Sequence, residues 1–120
     1  MKRTRMLFMG LALCLPAVLD SASFAQEPSR TIEVHARRFV FDPPEITVKQ
    51  GETVRLKLTS DDVPHSLLVK ELGINKTVTK SNPGEVVFTA KSPGVYQGRC
   101  GRFCGSGHGQ MVFTVHVTEK

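Results

Sequence analysis

Residues 45–59 read EITVKQGETVRLKLT, and this stretch decides the class of fold. Apolar side chains alternate with polar ones at Val54, Leu56 and Leu58, which is the period of a strand with one buried face. The dipeptide Gln50-Gly51 is a turn signal that divides the stretch in two. We therefore predict two consecutive β-strands here.

The rest of the chain repeats this pattern of short apolar runs between turns. We predict strands at residues 31–41, 45–48, 52–59, 66–69, 86–90, 95–98 and 111–117. Turns that contain Pro and Gly, at residues 81–84 and 92–94, separate the later strands. No helical run of useful length follows the N-terminal segment. Short strands and turns over roughly 90 residues predict an all-β fold, a sandwich or a small barrel.

The N-terminal segment has a different composition. Three basic residues among the first five precede a 14-residue apolar run, and Ser23 and Ala25 are the small residues that a signal peptidase reads. The run is shorter than the roughly 20 residues of a membrane-spanning helix. We predict a secretory signal peptide at residues 1–25, a periplasmic protein whose mature chain begins at Gln26, and one domain at residues 26–120. An uncleaved N-terminal anchor is the alternative.

Removal of that segment changes the charge and the cysteine count. The full chain has a formal net charge of +5, and residues 26–120 keep 13 basic and 10 acidic residues, or +3. Cys14 lies in the predicted signal peptide, so the domain keeps Cys100 and Cys104. Arg37-Arg38 is its single basic doublet, and no Lys/Arg run alternates with aromatic residues. This charge pattern argues against nucleic-acid binding.

Residues 100–111, CGRFCGSGHGQM, gather two cysteines, a histidine and a methionine between two predicted strands. Four glycines let such a loop fold tightly around a bound group. His65 lies at the start of another predicted strand, from which it can reach the same end of the sandwich. Two thiolates, two imidazoles and a thioether favour copper, zinc or iron–sulfur chemistry, and the thioether favours copper over zinc.

A longer stretch, residues 92–111, SPGVYQGRCGRFCGSGHGQM, resembles the copper loop of cytochrome c oxidase subunit II, which forms the binuclear CuA centre. The spacing C-x3-C-x3-H-x2-M is also that of the copper electron-entry domain of nitrous oxide reductase. The segment Asp62-Val63-Pro64-His65-Ser66 resembles the first-histidine segment of that family. The resemblance implies a cupredoxin-type Greek-key β-sandwich for residues 26–120.

The resemblance also implies six metal-ligand residues for two copper ions, namely His65, Cys100, Arg102, Cys104, His108 and Met111. The two cysteines would bridge both ions as thiolates. His65 and the weak axial Met111 would complete one ion. The other ion would take His108 and the backbone carbonyl of Arg102.

The implied function is electron transfer in an exported protein. Two copper ions that share two thiolates share one electron, so each bond changes little on reduction and transfer is fast. A rigid, water-excluding protein frame supports this behaviour. No coordination position is left open for a substrate. We therefore expect an electron-transfer or copper-handling domain that is not an enzyme by itself.

Three other metal or thiol arrangements use the same residues. A plain disulfide between the two cysteines would close a very short loop and add little stability. Zinc bound by two Cys and two His would not use Met111 as a ligand. A mononuclear blue copper site needs one cysteine and would use Cys104 with the two histidines and Met111. His35 and His116 lie in strand patterns far from the loop, and we predict that they are structural or surface residues.

A second function is open, a periplasmic protein that stores copper or delivers it during assembly of a membrane oxidase. Three departures from the family pattern support it. The chain has no membrane hairpin of the kind that subunit II uses to join an oxidase. It contains no Trp, and Leu67 stands where family members often place one. Arg102 stands where a carboxylate or amide side chain is usual. A hydrolase with a cysteine nucleophile is disfavoured, because both cysteines belong to the metal loop.

The charge of the loop indicates the kind of partner. Arg99 and Arg102 flank Cys100, and residues 100–111 contain no Asp or Glu. We predict a monomer with a positive docking face and an acidic partner, either a redox protein or an oxidase-assembly protein. No membrane span is expected after cleavage of the signal peptide.

Overall fold

The structure, a computed structural model, describes Gly10 and residues 27–120. The described residues form nine strands: β1 Arg30–Arg37, β2 Val40–Asp42, β3 Glu45–Lys49, β4 Thr53–Ser60, β5 His65–Val69, β6 Ile74–Val78, β7 Gly84–Thr89, β8 Gly94–Cys100 and β9 Val112–Thr118. The predicted signal peptide at residues 1–25 lies outside the described residues, apart from Gly10.

The strands form two sheets. Four strands make the first sheet in the order β2-β1-β4-β7, and five make the second in the order β3-β9-β8-β5-β6. β1 runs parallel to β4 and β3 runs parallel to β9, whereas the other paired strands are antiparallel. Both sheets contribute to a single core cluster, so the predicted all-β sandwich is confirmed.

Alternating side chains build the core. β4 buries Val54, Leu56 and Leu58, the three residues whose spacing predicts a half-buried strand. From the second sheet, β9 buries Phe113 and Val115 in the same cluster. The inner faces of the two sheets therefore supply the apolar contacts that stabilise the fold.

The turn at Gln50-Gly51 passes the chain from one sheet to the other. β3 lies at the edge of the second sheet, and β4 lies inside the first. Gly51 has a φ of +83°, a left-handed conformation that favours glycine, and its N–H donates to the carbonyl of Ala90 at 2.6 Å. The two strands predicted from residues 45–59 are therefore confirmed, and they belong to different layers.

Residues 31–41 do not form one strand, so that prediction is wrong. β1 ends at Arg37, the chain turns at Arg38-Phe39, and β2 pairs back antiparallel onto β1. The backbone N–H of Arg38 donates to Asp62 Oδ2 at 2.8 Å. This long-range hydrogen bond holds the turn in place, and the local alternation of apolar residues does not reveal it.

The structure also has a strand, β6, that the sequence pattern does not predict. Ile74 and Val78 at its ends are buried, but the three residues between them are polar. The alternation that identifies a half-buried strand is therefore absent. The other predicted strands agree with β5, β7, β8 and β9 to within two residues at each end.

Helical structure is limited in the described residues. Two 3₁₀ helices of three residues each lie at Lys70–Leu72 and His108–Gln110, the second of them inside the predicted metal loop. Across the described part of the chain, no helix combines the length and the apolar character that crossing a membrane requires.

The core assignment predicts a contrast between two valines on adjacent strands. Val115 on β9 is fully buried, whereas Val95 on β8 is 69% exposed. Val115→Ala should lower the free energy of unfolding by about 2 kcal/mol, because two buried methyl groups are lost and a cavity is left. Val95→Ala should change it by less than about 0.5 kcal/mol. Urea unfolding of the metal-free protein measures both, and equal losses would contradict the assignment.

Candidate metal centre

Two neighbouring strands of the second sheet bring His65 next to Cys100. β5 begins at His65, β8 ends at Cys100, and the antiparallel register places Leu67 opposite Cys100. The backbone N–H of Gly101 donates to the carbonyl of Ser66 at 3.0 Å, which extends the pairing past the end of β8. The first histidine and the first cysteine therefore lie at the same end of the sandwich.

The loop at residues 101–110 returns to this end. The backbone N–H of Cys100 donates to the carbonyl of Met111 at 3.0 Å and closes the loop at its base. Within the loop, the N–H of His108 donates to the carbonyl of Gly105 at 3.1 Å. These bonds direct the side chains of the loop back toward the first cysteine.

The sulfur atoms of Cys100 and Cys104 lie 3.8 Å apart at the centre of the donor set. His65 Nδ1 lies 3.9 Å from the sulfur of Cys100. On the other side, His108 Nδ1 lies 3.6 Å and Met111 Sδ 3.9 Å from the sulfur of Cys104. The donor atoms of His65, Cys100 and Cys104 all lie within 4.8 Å of one another.

Arg102 contributes its backbone to this group. Its carbonyl oxygen lies 3.0 Å from the sulfur of Cys100, and the residue itself is exposed. All six residues that the resemblance identifies therefore lie together. The side chain of His108 is half-buried. Four others are buried, those of His65, Cys100, Cys104 and Met111.

The distances between the sulfur and nitrogen donor atoms fit the binding of metal ions. Two sulfurs bound to one metal ion at about 2.3 Å and at a tetrahedral angle lie about 3.8 Å apart, and a sulfur and an imidazole nitrogen about 3.6 Å apart. The observed values of 3.8 Å between the sulfurs and 3.6 to 3.9 Å from sulfur to nitrogen agree with this geometry. The sulfur atoms of a disulfide are about 2.05 Å apart. Those of Cys100 and Cys104 are 3.8 Å apart, and both cysteines are free. The soft donor set fits copper.

Asp62 fixes the orientation of His65. Its Oδ1 accepts a hydrogen bond from His65 Nε2 at 2.7 Å, and it also accepts from the backbone N–H groups of Val63 and Arg38. Burial acts to raise the pKa of Asp62, but these hydrogen bonds outweigh it and lower the pKa to about 2. The ionised carboxylate holds Nε2 as the donor and leaves Nδ1 for a metal ion.

The sequence pattern alone assigns Asp62 no role beyond its place in the segment that resembles the first-histidine motif. One sequence feature could have identified Asp62, namely its position three residues before a histidine that is predicted to bind metal. Such histidines commonly donate their other ring N–H to a carboxylate.

The surroundings of the Cys104 thiol favour its protonated form in the metal-free protein. Burial raises the pKa of Cys104 to about 11, and the hydrogen bond and charge of Cys100 add to this shift. The guanidinium of Arg38 acts in the opposite direction. Because the thiolate is the form that binds metal, metal loading must displace this proton.

The surface beside the site is apolar and cationic. Phe103 is 76% exposed, and its ring is tilted against that of His108 with centroids 5.7 Å apart. Arg102 and Arg38 are exposed beside it and line the same shallow depression as Val63. An exposed aromatic ring together with arginine side chains is a feature of protein-binding surfaces.

The two remaining histidines lie outside the site. His35 Nδ1 contacts Asp61 at 3.1 Å, and His116 Nε2 contacts Glu45 at 2.6 Å. Both side chains are more than one third exposed to solvent. Their predicted position at the surface is confirmed.

Comparisons with known proteins show the family to which the chain belongs. A family model described as a cupredoxin-like domain matches residues 6–113. Cytochrome c oxidase subunit 2 of Thermus thermophilus is 38% identical over 89 residues, which are 74% of this chain and 66% of that protein. A second subunit 2 of that species, from strain ATCC 27634, is also 38% identical over 89 residues, which are 53% of its length. The chain thus spans about half to two thirds of these relatives.

A solved structure has the same fold. The periplasmic domain of subunit II of cytochrome oxidase (CoxB) of Bradyrhizobium japonicum superposes with a TM-score of 0.72 at 19% identity, covering 81% of this chain and 89% of that one. This likeness confirms the predicted cupredoxin-type sandwich. The donor set fits a CuA-like domain of the subunit II type, and the family match over most of the sequence identifies the chain as a member of the cupredoxin-like domain family.

Proposed function

We propose that the chain is an exported, periplasmic copper protein whose CuA-like binuclear centre transfers electrons to or from a redox partner. The observation that carries this proposal is the pair of buried sulfur atoms 3.8 Å apart, with an imidazole on each side. A single metal ion held by one thiolate does not require a second buried thiol at this distance.

The number of donors supports two copper ions. The thiolates of Cys100 and Cys104 would each bind both ions, so each ion would have two sulfur donors. The imidazoles of His65 and His108 would supply one further donor to each ion, and the Met111 thioether and the Arg102 carbonyl would each supply one weak donor. Two four-coordinate ions use all six residues, whereas a mononuclear site leaves the Cys100 thiol and the Arg102 carbonyl without a role. We assign His65 and Met111 to one ion, and His108 and the Arg102 carbonyl to the other.

The protein's own residues determine how such a centre behaves. Copper, when bound, supplies a one-electron redox couple. Asp62 holds His65 in one orientation, and burial of both cysteines and of Met111 excludes water from the donors. The sandwich fixes the two ends of the loop, so the donors rearrange little when the charge of the centre changes. Such rigidity favours electron transfer.

One observation favours copper delivery as a second candidate function. His108 is half-buried, whereas the other donor side chains are buried. The His108 side of the site is therefore the one through which a copper ion reaches solvent or an acceptor protein. An assembly partner of a membrane oxidase would take copper at this side.

Substitution of the cysteines tests the bridged centre. Cys100→Ser and Cys104→Ser should each abolish the two-copper site, because either substitution removes one of the two sulfur atoms that the two ions would share. Met111→Leu should keep both ions and raise the reduction potential, because a weak axial donor tunes a copper site more than it holds the metal. Copper analysis per chain, absorption spectra and redox titration measure these effects. Two copper ions and an unchanged spectrum in Cys100→Ser would disprove the bridged arrangement.

Charge reversal tests the docking face. Arg102→Glu should slow association with an acidic redox partner and speed association with a basic cytochrome c, most strongly at low salt. Lys91→Glu is the matched control, since Lys91 is exposed next to Ala90, at the opposite end of the sandwich. Stopped-flow electron transfer across an ionic-strength series measures both variants. Faster reaction of the unmodified protein with the basic cytochrome at low salt would contradict a positive docking face.

A further inference from the structure

The turn between β1 and β2 reaches across to the metal loop. Arg38 lies in this turn, and its Nε donates a hydrogen bond to the carbonyl of Cys104 at 2.9 Å. The two residues are 66 positions apart in sequence. The loop of the second thiol is therefore tied to a segment that contributes no donor atom to the site.

Phe39, the next residue, packs against the same loop. A Cβ atom built at Gly107 would lie 2.4 Å from Phe39 Cδ2, and one built at Gly105 would lie 2.9 Å from Phe39 Cε1. Neither position accepts a side chain without displacing the ring. The ring of Phe39 thus lies directly on the backbone of the loop, which explains why these two loop residues are glycines.

The turn is also anchored to the segment of the first histidine. The backbone N–H of Arg38 donates to Asp62 Oδ2 at 2.8 Å, while Asp62 Oδ1 accepts from His65 Nε2 at 2.7 Å. One carboxylate therefore connects the turn to His65, and the Arg38 side chain connects the turn to Cys104. The turn joins the two chain segments that carry the donors.

We propose that Arg38 is a positioning residue for the metal centre, which holds the loop of Cys104 in its metal-binding conformation before the metal arrives. Preorganisation of this kind reduces the conformational freedom that the loop loses on binding, and it slows the opening of the loop that releases a bound ion. The inference rests on the proposed copper site, but its first consequence concerns the metal-free protein. There, with no metal to hold the loop, the hydrogen bond from Arg38 should slow its opening.

The neighbouring arginine provides a matched control. The guanidinium of Arg37 lies 3.3 Å from the carboxylate of Asp42 and 3.7 Å from that of Asp61. Arg37→Met removes the same charge and the same number of donors one residue away, without removing the hydrogen bond to the loop. Arg38→Lys keeps a cationic donor of nearly the same reach and should restore part of the effect.

The first measurement is amide hydrogen exchange of the metal-free protein. The N–H groups of His108 and Gln110 are bonded within the loop, to Gly105 and Gly107, and report its opening. Arg38→Met should speed their exchange about tenfold, as expected for loss of a charge-assisted hydrogen bond. Exchange in β9 should not change, and Arg37→Met should alter loop exchange less than about twofold. Equal loop exchange in the two Met variants would overturn the proposal.

The second measurement is the rate at which a Cu(I) chelator removes copper from the loaded protein. Arg38→Met should release copper about tenfold faster than Arg37→Met, and Arg38→Lys should fall between them. If Arg38→Met speeds amide hydrogen exchange in the loop but leaves the rate of copper release unchanged, Arg38 has only a structural role. That result would also overturn the proposal. Failure of the proposed binuclear centre is seen separately, as one copper ion per chain in the unmodified protein, and leaves the exchange experiment valid.

Discussion

The antiparallel pairing of β5 with β8 is the constraint on which the site depends. Because Leu67 lies opposite Cys100, the chain places His65 and the first thiol side by side at the end of the second sheet. A shift of this register by one residue would turn the side chains of β5 to the opposite face. Both strands are interior strands of the sheet, so each is held by hydrogen bonds on two sides. His65 and Cys100, which lie on these two strands, are therefore held in fixed positions.

The second element of the site is a carboxylate that connects separate segments. Asp62 accepts hydrogen bonds from His65, from its neighbour Val63 and from the β1–β2 turn, and these bonds hold the pKa of Asp62 at about 2. The group is therefore ionised throughout the range of pH in which the protein is expected to work. An ionised acceptor fixes the ring of His65, and the turn that it anchors lies on the loop of Cys104. The two halves of the donor set are thus oriented by one contact network.

The sequence allowed much of this arrangement to be predicted, and the exceptions have a common physical cause. The alternation at Val54, Leu56 and Leu58 is local, so it predicts a strand that the structure confirms. The six candidate donor residues are implied by the resemblance of the loop and of one histidine segment to a known family, and the structure brings these residues together. The break in the predicted strand at residues 31–41 depends instead on a hydrogen bond to Asp62. Such long-range contacts leave no periodic signal, and the contact of Arg38 with the loop is of the same kind.

In the proposed function, the six donors would hold two copper ions through a pair of bridging thiolates. The absorption spectrum of the copper-loaded protein, together with the number of copper ions per chain, distinguishes this centre from the alternatives. A bridged binuclear centre should give two copper ions per chain and a purple colour. One copper ion with the colour of a blue site, or colourless Cu(I), would contradict it, and the second of these results would favour copper delivery over electron transfer.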